Sequence, residues 1–301
     1  MFKLGLIGYP LGHSLSPSIH ATLLGLAGLE GAYDAIDTPP DALPHQLESL
    51  CALGYLGWNV TIPHKLAAAR WVDRLTPEAE RIGAVNTVRV DPETGERVGH
   101  NTDGIGYRLS LPAVVQGDLP LRPTVLLGAG GGARSLVATL VEARVPSLTL
   151  LVREPDKHRA TLDWAQALAA RADSPTMVAL APLAAEAEVR VALAAAALLV
   201  NTTPVGLWPE VDATPLPAEW LDALPATALV SDIVYRPLET RLLMEARLRG
   251  LSVHTGLGML MYQAFQAFTF WTGIPVQAAW IRQVETRLLL ELADSDPTAT
   301  A

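Results

Sequence analysis

The sequence predicts an α/β protein with two lobes, and three observations lead to that prediction. Short apolar runs alternate with amphipathic stretches along both halves of the chain, a pattern typical of parallel sheets flanked by helices. The length, 301 residues, is enough to form two hydrophobic cores. Residues 112–123 contain three prolines and a glycine, which favours a domain boundary within or just before this stretch.

In the first hundred residues the pattern predicts a largely parallel sheet with helices on both faces. The predicted strands are residues 2–8, 33–37 and 57–62, and the predicted helices are 18–29, 43–53 and 64–72. Residues 84–90 and 97–100 flank a turn sequence at 91–95, so we expect them to pair as a hairpin.

The second half of the chain repeats the alternation of strand and helix patterns. Its predicted strands are 124–127, 147–152, 177–180, 196–203, 229–235 and 252–254, and its predicted helices are 132–143, 157–171 and 238–249. A helical pattern then runs over 258–292, with a break around 273–275, and we expect 294–301 to fray.

Composition excludes several classes of partner. The net charge is −9 without a long basic run, which argues against nucleic acid. Cys51 is the single cysteine, so no disulfide forms within the chain, as in a reducing compartment. The apolar run at the N-terminus is too short for a signal peptide, and 191–200 is too short for a membrane span, which needs about 20 residues. We therefore expect a cytoplasmic protein that does not bind membranes.

A glycine-rich loop follows the strand predicted at 124–127. The first glycine of such a loop permits a tight turn, the second lets the backbone approach a pyrophosphate, and a later small residue permits close helix–strand packing. The helix N-terminus then faces the phosphates with free N–H groups. The loop indicates a dinucleotide site in a Rossmann-type domain, and a glycine-rich turn without a ligand is the alternative. Its residues are Gly128, Ala129, Gly130, Gly131, Gly132 and Ala133.

Charged residues follow the next predicted strand, where the adenosine ribose of a dinucleotide should lie. Arg153 and Lys157 could pair with a 2′-phosphate, which indicates NADP. Glu154 could accept a hydrogen bond from a free 2′-hydroxyl, which indicates NAD. All three could also be solvated surface charges. Two cations against one carboxylate favour NADP, with NAD as the alternative.

Two serines precede the first predicted helix. Ser14 and Ser16 offer hydroxyls that suit a carboxylate ligand. The alternative is a purely structural N-cap, with Ser16 immediately before Pro17 at the first helical position. Both roles can coexist at one helix start.

A second polar cluster surrounds the strand predicted at 57–62. Asn59 and Thr61 should lie on one face of that strand, while Val60 and Ile62 point into the core. Lys65 begins the next helix, although a cation at a helix N-terminus opposes the helix dipole. The chain has only three lysines and otherwise uses arginine, so a lysine here indicates chemistry that an arginine cannot perform, or a chance survival.

Two further polar residues complete the set in the first half. Asn86 offers an amide within residues 83–87, and Asp103 offers a carboxylate just before a predicted helix. Because ligands of open α/β sheets bind at the carboxyl ends of the strands, all these clusters are candidates for one site. No metal site is predicted, since the seven histidines lack ligand spacing.

Seven motifs, in order and in spacing, closely resemble the signatures of the shikimate dehydrogenase family. In the first half they are residues 12–17 (GHSLSP), 59–65 (NVTIPHK), 83–87 (GAVNT) and 101–104 (NTDG). In the second half they are 201–206 (NTTPVG), 232–235 (DIVY) and 256–260 (GLGML), the last followed by Gln263. The resemblance extends from about residue 5 to about residue 280.

The resemblance implies a reversible, NADP-dependent reduction of 3-dehydroshikimate to shikimate, in the pathway to chorismate and the aromatic amino acids. It implies that Lys65 and Asp103 are the catalytic pair. The substrate-binding residues that it implies are Ser14, Ser16, Asn59, Thr61, Lys65, Asn86, Asp103, Tyr235 and Gln263. The cofactor-binding residues that it implies are the loop 128–133, Arg153, Glu154, Lys157, Thr202, Ile233, Gly256 and Met259.

The resemblance also implies how the domains are assembled. The helix that carries Gln263 would pack on the first domain, so that residues 1–105 and 257–301 form a discontinuous substrate-binding catalytic domain. Residues 106–256 would form the NAD(P)-binding Rossmann domain, and the active site would be a cleft between the two lobes. Members of the family occur as monomers or dimers, so a homodimer is compatible with the resemblance.

One departure from the family pattern concerns the cofactor. NADP-dependent members usually carry Asn-Arg-Thr at the ribose loop, whereas this chain has Val152-Arg153-Glu154. An acidic last residue is similar to quinate/shikimate dehydrogenases that accept NAD, which is the nearest alternative. Methylenetetrahydrofolate dehydrogenase shares the architecture, but the paired serines and the motif at 59–65 argue against it. A non-catalytic sensor would not need both Lys65 and Asp103.

The residues themselves support this chemistry. Reducing a ring ketone adds hydride to carbon and leaves an oxyanion that must receive a proton. As an ammonium, Lys65 could stabilise and protonate that oxygen, and Asp103 could orient the lysine. The cofactor supplies the hydride step, while the protein supplies geometry and the proton.

Overall fold

The structure is a computed structural model, and it describes residues 1–12 and 14–294. Contacts divide the chain into two compact units. The first unit comprises Met1–Gly106 and the chain from Met261 onwards, and the second is Tyr107–Leu260. The predicted α/β fold class is confirmed. Within the described residues, no helix combines the length and apolar character that crossing a bilayer requires.

The helices and strands up to Ser110 include six strands and five helices. In chain order they are β1 (Phe2–Gly8), α1 (Ser16–Leu26), β2 (Gly31–Asp37), α2 (Leu43–Ala52), β3 (Gly57–Val60), α3 (Lys65–Trp71), β4 (Arg74–Leu75), α4 (Pro77–Ile82), β5 (Thr87–Val90), β6 (Arg97–His100) and α5 (Asp103–Ser110).

The remaining elements follow from residue 113. They are α6 (Ala113–Asp118), β7 (Thr124–Leu127), α7 (Gly131–Glu142), β8 (Ser147–Val152), α8 (Arg159–Arg171), β9 (Met177–Pro182), α9 (Glu186–Ala195), β10 (Leu198–Asn201), β11 (Leu229–Asp232), α10 (Arg241–Leu248), β12 (Ser252–His254), α11 (Gly256–Thr272) and α12 (Ala278–Asp294). Short 3₁₀ turns precede β7, α8 and β11.

The sheet of the first unit has the strand order β2-β1-β3-β5-β6-β4. The pairs β1–β2, β1–β3 and β4–β6 are parallel, while β3–β5 and β5–β6 are antiparallel. The chain crosses from one side of β1 to the other between β2 and β3. The carboxyl ends of β1 and β3 therefore form a topological switch point, where open sheets bind ligands.

The sheet of the second unit is parallel throughout, in the order β12-β11-β10-β7-β8-β9. Counted from β7, this is the 3-2-1-4-5-6 order of the Rossmann fold read from its other edge. Its switch point lies between β7 and β10, so the loops after these two strands are adjacent. All four residues of each of these strands are buried, as expected for a parallel sheet covered on both faces.

One hydrophobic core cluster of the first unit packs against β3. Trp58 and Val60 are buried in a cluster with Ile7 of β1 and with Leu47 and Leu50 of α2. Trp58 and Val60, two positions apart on β3, both point into this cluster. Because a movement of either side chain would leave a cavity, the strand is held in place. Asn59, between the two apolar residues, is buried as well.

Three sequence expectations about this region are wrong. Strand β3 ends at Val60, so Thr61 is not on it, and Ile62 is 60% exposed instead of pointing into the core. Helix α1 was predicted to begin at residue 18, with Ser16 as a possible N-cap. It begins at Ser16, so the N-cap position is Leu15, and no side chain caps the helix. Strand β5 begins at Thr87, because the backbone N–H of Val85 is bonded to the carbonyl of Lys65.

Several short elements escaped prediction because they carry little periodicity. These are β4, α4 and α6, together with α9. The apolar residues of α9 continue without a polar break toward β10, so a period of 3.6 cannot be distinguished there from a buried strand.

Candidate active site and dinucleotide loop

The site in the first unit is built around an ion pair. Lys65, the first residue of α3, places its Nζ 2.6 Å from Oδ2 of Asp103, the first residue of α5. The two side chains are only 13% and 7% exposed. A short, partly buried contact of this kind is a charge-assisted hydrogen bond held in one geometry.

Asn86 holds the second oxygen of that carboxylate. Its Nδ2 donates to Oδ1 of Asp103 at 2.8 Å and to Oγ1 of Thr102 at 2.9 Å. Its Oδ1 accepts from the backbone N–H of Thr102 and from the hydroxyl of Thr87. Because these contacts engage both ends of the amide, Asn86 has a fixed orientation and holds the carboxylate of Asp103 in place.

Asn101 sets the backbone that carries Asp103. Its Oδ1 accepts from the N–H of Asp103 at 3.1 Å, and its Nδ2 donates to the carbonyl of Ala84 at 3.0 Å. An Asn that bonds two residues ahead forms a turn of its own, and here the turn opens α5. The carboxylate thus sits at the positive end of a helix, a favourable place for an anion.

Asn59 is oriented from three sides. Its Nδ2 donates to the carbonyl of Asn86 and to the hydroxyl of Thr87, both at 3.1 Å. Its Oδ1 accepts from the hydroxyl of Tyr33 at 2.7 Å. Both N–H donors of this amide are therefore used within the protein, and a further ligand could reach it only as a donor to Oδ1.

The two serines lie at the start of α1. Ser16 is buried, and its backbone N–H donates to the hydroxyl oxygen of Ser14 at 3.3 Å. Thr61 follows β3, and its backbone N–H donates to the carbonyl of Ile7. Ser14 and Thr61 remain half-buried, so their side chains are accessible at the switch point between β1 and β3.

Gln263 lies on α11, close to the start of α5. A Cβ added to Gly106 would come within 2.6 Å of the backbone nitrogen of Gln263, so only glycine lets the two helices approach this closely. Tyr235 belongs to the second unit, after β11. The binding roles predicted for both residues stay predictions.

Two residues that the sequence analysis did not single out, Tyr33 and His20, lie next to the candidate site residue Asn59 or stack on its partner. Tyr33 is the only buried residue of β2, and its hydroxyl bonds to Asn59. His20, on α1, stacks on Tyr33. No local signal marks either residue, because each matters through a partner that is distant in sequence.

The glycine-rich loop of the second unit follows β7 and opens α7. Gly128 has φ +100°, which favours glycine, and a Cβ on it would lie 2.8 Å from Cγ2 of Thr203. The hydroxyl of Thr202 donates to the carbonyl of Leu127 at 2.6 Å. The loops after β7 and β10 therefore pack directly on each other, and this contact accounts for the first glycine.

Gly130 has no such structural reason to be glycine. Its φ of −78° is open to any residue, and a Cβ on it would meet no atom within 4 Å. It precedes the first helical residue of α7, where backbone N–H groups lack partners within the helix. Free space above a helix N-terminus fits a pyrophosphate, so the residues present suit a dinucleotide.

Other predicted cofactor residues gather around the same loop. A Cβ on Gly132 would lie 3.2 Å from Cδ1 of Ile233, and a Cβ on Gly256 would lie 2.5 Å from the carbonyl oxygens of Ile233 and Val234. Ala133 and Met259 are buried, as is Ala129. The structure thus brings residues after β7 and β11 and at the start of α11 together.

Asp232 anchors the loop after β11. Its buried carboxylate accepts from Nδ2 of Asn201, from the hydroxyl of Thr240 and from the N–H of Val234, at 2.8–3.1 Å. Burial raises the pKa of this carboxyl to about 6, although the three donors oppose the effect. The loop that carries Ile233 is held by these bonds.

The charged residues after β8 are exposed. Lys157 and Glu154 form an ion pair, with Nζ 2.7 Å from Oε2, and the two side chains are 69% and 61% exposed. Arg153 is exposed beside them, and among the described residues it makes no ion pair. Glu154 is thus engaged by the ammonium of Lys157, which leaves the guanidinium of Arg153 for a ligand.

The second unit has a Rossmann sheet and a glycine loop with space for a pyrophosphate, and the first unit has a lysine–carboxylate pair. These features define the class of dinucleotide-dependent enzymes. Residues 6–88 match the family model of the shikimate dehydrogenase substrate binding domain. A curated shikimate dehydrogenase (NADP(+)) of Symbiobacterium thermophilum is 43% identical over 273 residues, covering 90% of this chain and 88% of the relative.

Solved structures agree with this match. The shikimate 5-dehydrogenase of Thermus thermophilus, in complex with NADP(H) and shikimate, is 40% identical, with a TM-score of 0.76 over 95% of this chain and 99% of that one. The quinate dehydrogenase of Corynebacterium glutamicum, in complex with NAD, is 31% identical, with a TM-score of 0.81 over 95% and 99%. The chain belongs to the shikimate dehydrogenase family.

Proposed function

We propose that the protein is a shikimate dehydrogenase that reversibly reduces 3-dehydroshikimate to shikimate with NADP, in the pathway to aromatic amino acids. The observation that carries the proposal is the Lys65–Asp103 contact of 2.6 Å, in which Asn86 donates a hydrogen bond to the other oxygen of the carboxylate. Relatives at about 40% identity carry the same name and cofactor. The substrate and cofactor thus agree with the chemistry of the site.

The ion pair serves as the proton-transfer group. The ammonium of Lys65 donates a proton to the oxygen that becomes a hydroxyl during reduction, and neutral Lys65 removes that proton during oxidation. Asp103 aims the ammonium and accepts from a neighbouring substrate hydroxyl. Asn86 prevents the carboxylate from rotating, because it binds the oxygen that the lysine does not.

The remaining residues of the first unit bind the substrate. The hydroxyls of Ser14 and Ser16, aided by Tyr235, hold the carboxylate of shikimate. Ring hydroxyls are bound by Asn59, Thr61, Asn86 and Gln263. For Asn59 the available position is Oδ1, since its N–H groups are engaged, so it accepts a hydrogen bond from the substrate.

When bound, the reduced cofactor NADPH would supply the hydride for the reduction, and NADP⁺ would accept it in the oxidation. The loop 128–133 would hold its pyrophosphate, with Thr202, Ile233, Gly256 and Met259 around the cofactor. Arg153 would pair with the 2′-phosphate, because a guanidinium binds phosphate with two parallel hydrogen bonds.

A single set of assays tests this function. Initial rates of oxidation are measured with shikimate and with quinate, each against NADP and NAD. Turnover of shikimate with NADP, and little turnover of quinate, is the expected result. Comparable turnover of quinate, or a clear preference for NAD, would contradict it and favour the quinate/shikimate dehydrogenase alternative, which Glu154 at the ribose loop supports. A cytoplasmic location and a homodimer stay predictions.

Replacing Glu154 should strengthen the preference for NADP. In Glu154→Thr the carboxylate that repels a 2′-phosphate is gone, and Lys157 loses its ion-pair partner and becomes available. We expect the ratio of kcat/KM for NADP to that for NAD to rise about tenfold, as one charge-assisted hydrogen bond allows. The measurement is initial-rate kinetics with both cofactors.

The matched control for this change is Glu186→Thr. It breaks another exposed ion pair of the same unit, with Arg190, away from the ribose loop, and should leave the cofactor ratio unchanged. An unchanged ratio in Glu154→Thr itself would show that this carboxylate does not face the ribose.

A further inference from the structure

A buried aromatic cluster lies behind Asn59 in the first unit. It consists of His20 on α1, Tyr33 on β2 and Trp271 on α11. The rings of His20 and Tyr33 stack with centroids 4.4 Å apart and planes at 14°, and Trp271 is tilted against His20 at 5.2 Å. Nε1 of Trp271 donates to the carbonyl of Val88 at 2.8 Å, so the indole is itself fixed to the sheet.

His20 does not use its polar atoms in this cluster. The side chain is fully buried, and neither ring nitrogen has a hydrogen-bond partner among the described residues. Burial lowers the pKa of the imidazole to about 3, an effect that the nearby Asn59 side chain only partly offsets. The ring is therefore neutral at physiological pH. A buried polar atom without a partner costs free energy, so stability alone does not account for a histidine here.

The ring of His20 contacts Tyr33, which is hydrogen-bonded to the proposed substrate-binding residue Asn59. His20 covers one face of Tyr33, and the hydroxyl of Tyr33 donates to Oδ1 of Asn59 at 2.7 Å. Asn59 in turn donates to the carbonyl of Asn86, whose side chain holds Asp103. The stacked ring is thus linked to the catalytic carboxylate through Tyr33, Asn59 and Asn86, along one continuous path.

We propose that His20 is a positioning residue of the substrate site, which clamps the ring of Tyr33 so that its hydroxyl keeps the Asn59 amide in the orientation that substrate requires. The imidazole supplies the flat aromatic surface that stacks on Tyr33. Its role is neither proton transfer nor ligand contact. The inference rests on the proposed activity, because Asn59 matters only if a polyhydroxylated ring binds beside it.

The test compares two substitutions of His20 in the full-length protein. His20→Leu is close in volume but cannot stack, and we expect the KM for shikimate to rise about two- to tenfold, the range that an aromatic stacking contact allows, with a smaller change in kcat. His20→Phe restores a ring without nitrogens, and its KM should return most of the way to the wild-type value. Melting temperatures of all variants are measured alongside.

A double-mutant cycle separates positioning from simple destabilisation. In a Tyr33→Phe background the hydroxyl is already missing, so His20→Leu should change KM by less than about twofold further, since coupled residues are not additive. The matched background is Tyr55→Phe, which removes a hydroxyl bonded to Asp34 in the same unit, and there His20→Leu should keep its full effect.

Each result decides the proposal. An unchanged KM in His20→Leu, or an effect that persists undiminished in the Tyr33→Phe background, overturns it. If His20→Leu is too unstable to assay, Tyr33→Phe alone carries the test, and an unchanged KM there overturns the proposal equally. Wild-type protein that does not oxidise shikimate would instead refute the proposed function, a failure distinguishable from these.

Discussion

Lys65→Met should reduce kcat for shikimate oxidation by at least about a hundredfold, the smaller end of what general acid–base groups contribute. Methionine keeps the length of the side chain and removes its only titratable group. The carboxylate of Asp103 remains held by Asn86, so the shape of the site should survive the change. The dissociation constant of shikimate, measured by calorimetry, should change by less than about tenfold, near 1.4 kcal/mol.

The chain offers a matched control for this change. Lys3, one of the two other lysines, donates to the carbonyl of Leu53 and lies over the ring of Tyr55, on β1 rather than at the switch point. Lys3→Met should leave kcat unaltered. If kcat of Lys65→Met stays within about tenfold of the wild-type value, another group transfers the proton and the assignment of Lys65 is incorrect.

Gly130→Ala should raise the KM for NADP by about tenfold or more, because a methyl group enters the space where backbone N–H groups meet phosphate, and each such charge-assisted bond is worth about 1.5–3 kcal/mol. The melting temperature should change little, since the φ of Gly130 suits alanine and no atom lies within 4 Å of the new Cβ. The KM for shikimate should stay close to the wild-type value.

Gly128→Ala should behave in the opposite way. Its φ of +100° disfavours alanine, and the Cβ would clash with Thr203, so the free energy of unfolding should fall by about 2 kcal/mol. Gly117→Ala in α6, where a Cβ also meets no atom within 4 Å, is the control for replacing a glycine in open space.

For Gly130→Ala, an unchanged KM for NADP would mean that the loop 128–133 does not approach the cofactor.

Much of the fold could be read from the sequence. The strands Phe2–Gly8, Thr124–Leu127, Ser147–Val152 and Ser252–His254 were predicted at their observed bounds. The first three are apolar runs delimited by glycine, proline or a polar cluster, and such signals are local. The position of the glycine loop is local too, because its reason is a backbone conformation and a helix start.

Strand ends were harder to predict than strands. The run at 57–62 looks continuous, yet β3 stops at Val60, and Thr61 and Ile62 leave the sheet. Likewise the predicted strand at 229–235 stops at Asp232, where the carboxylate turns the chain by accepting from Val234. Which side chain captures which backbone group depends on neighbours that a one-dimensional pattern does not contain.

The sequence by itself determined the fold class and the position of the glycine-rich loop, and its motifs singled out the residues that we propose for the site. Only the tertiary structure decided their arrangement. Lys65 and Asp103 are 38 positions apart and meet because β3, β5 and β6 are neighbours in the sheet. The N–H groups of Asn59 are engaged by Asn86 and Thr87 at the start of β5. His20, Tyr33 and Trp271 meet through contacts between α1, β2 and α11. The physical reason is that hydrogen bonds and ring contacts are made in space, between elements that chain order alone does not bring together.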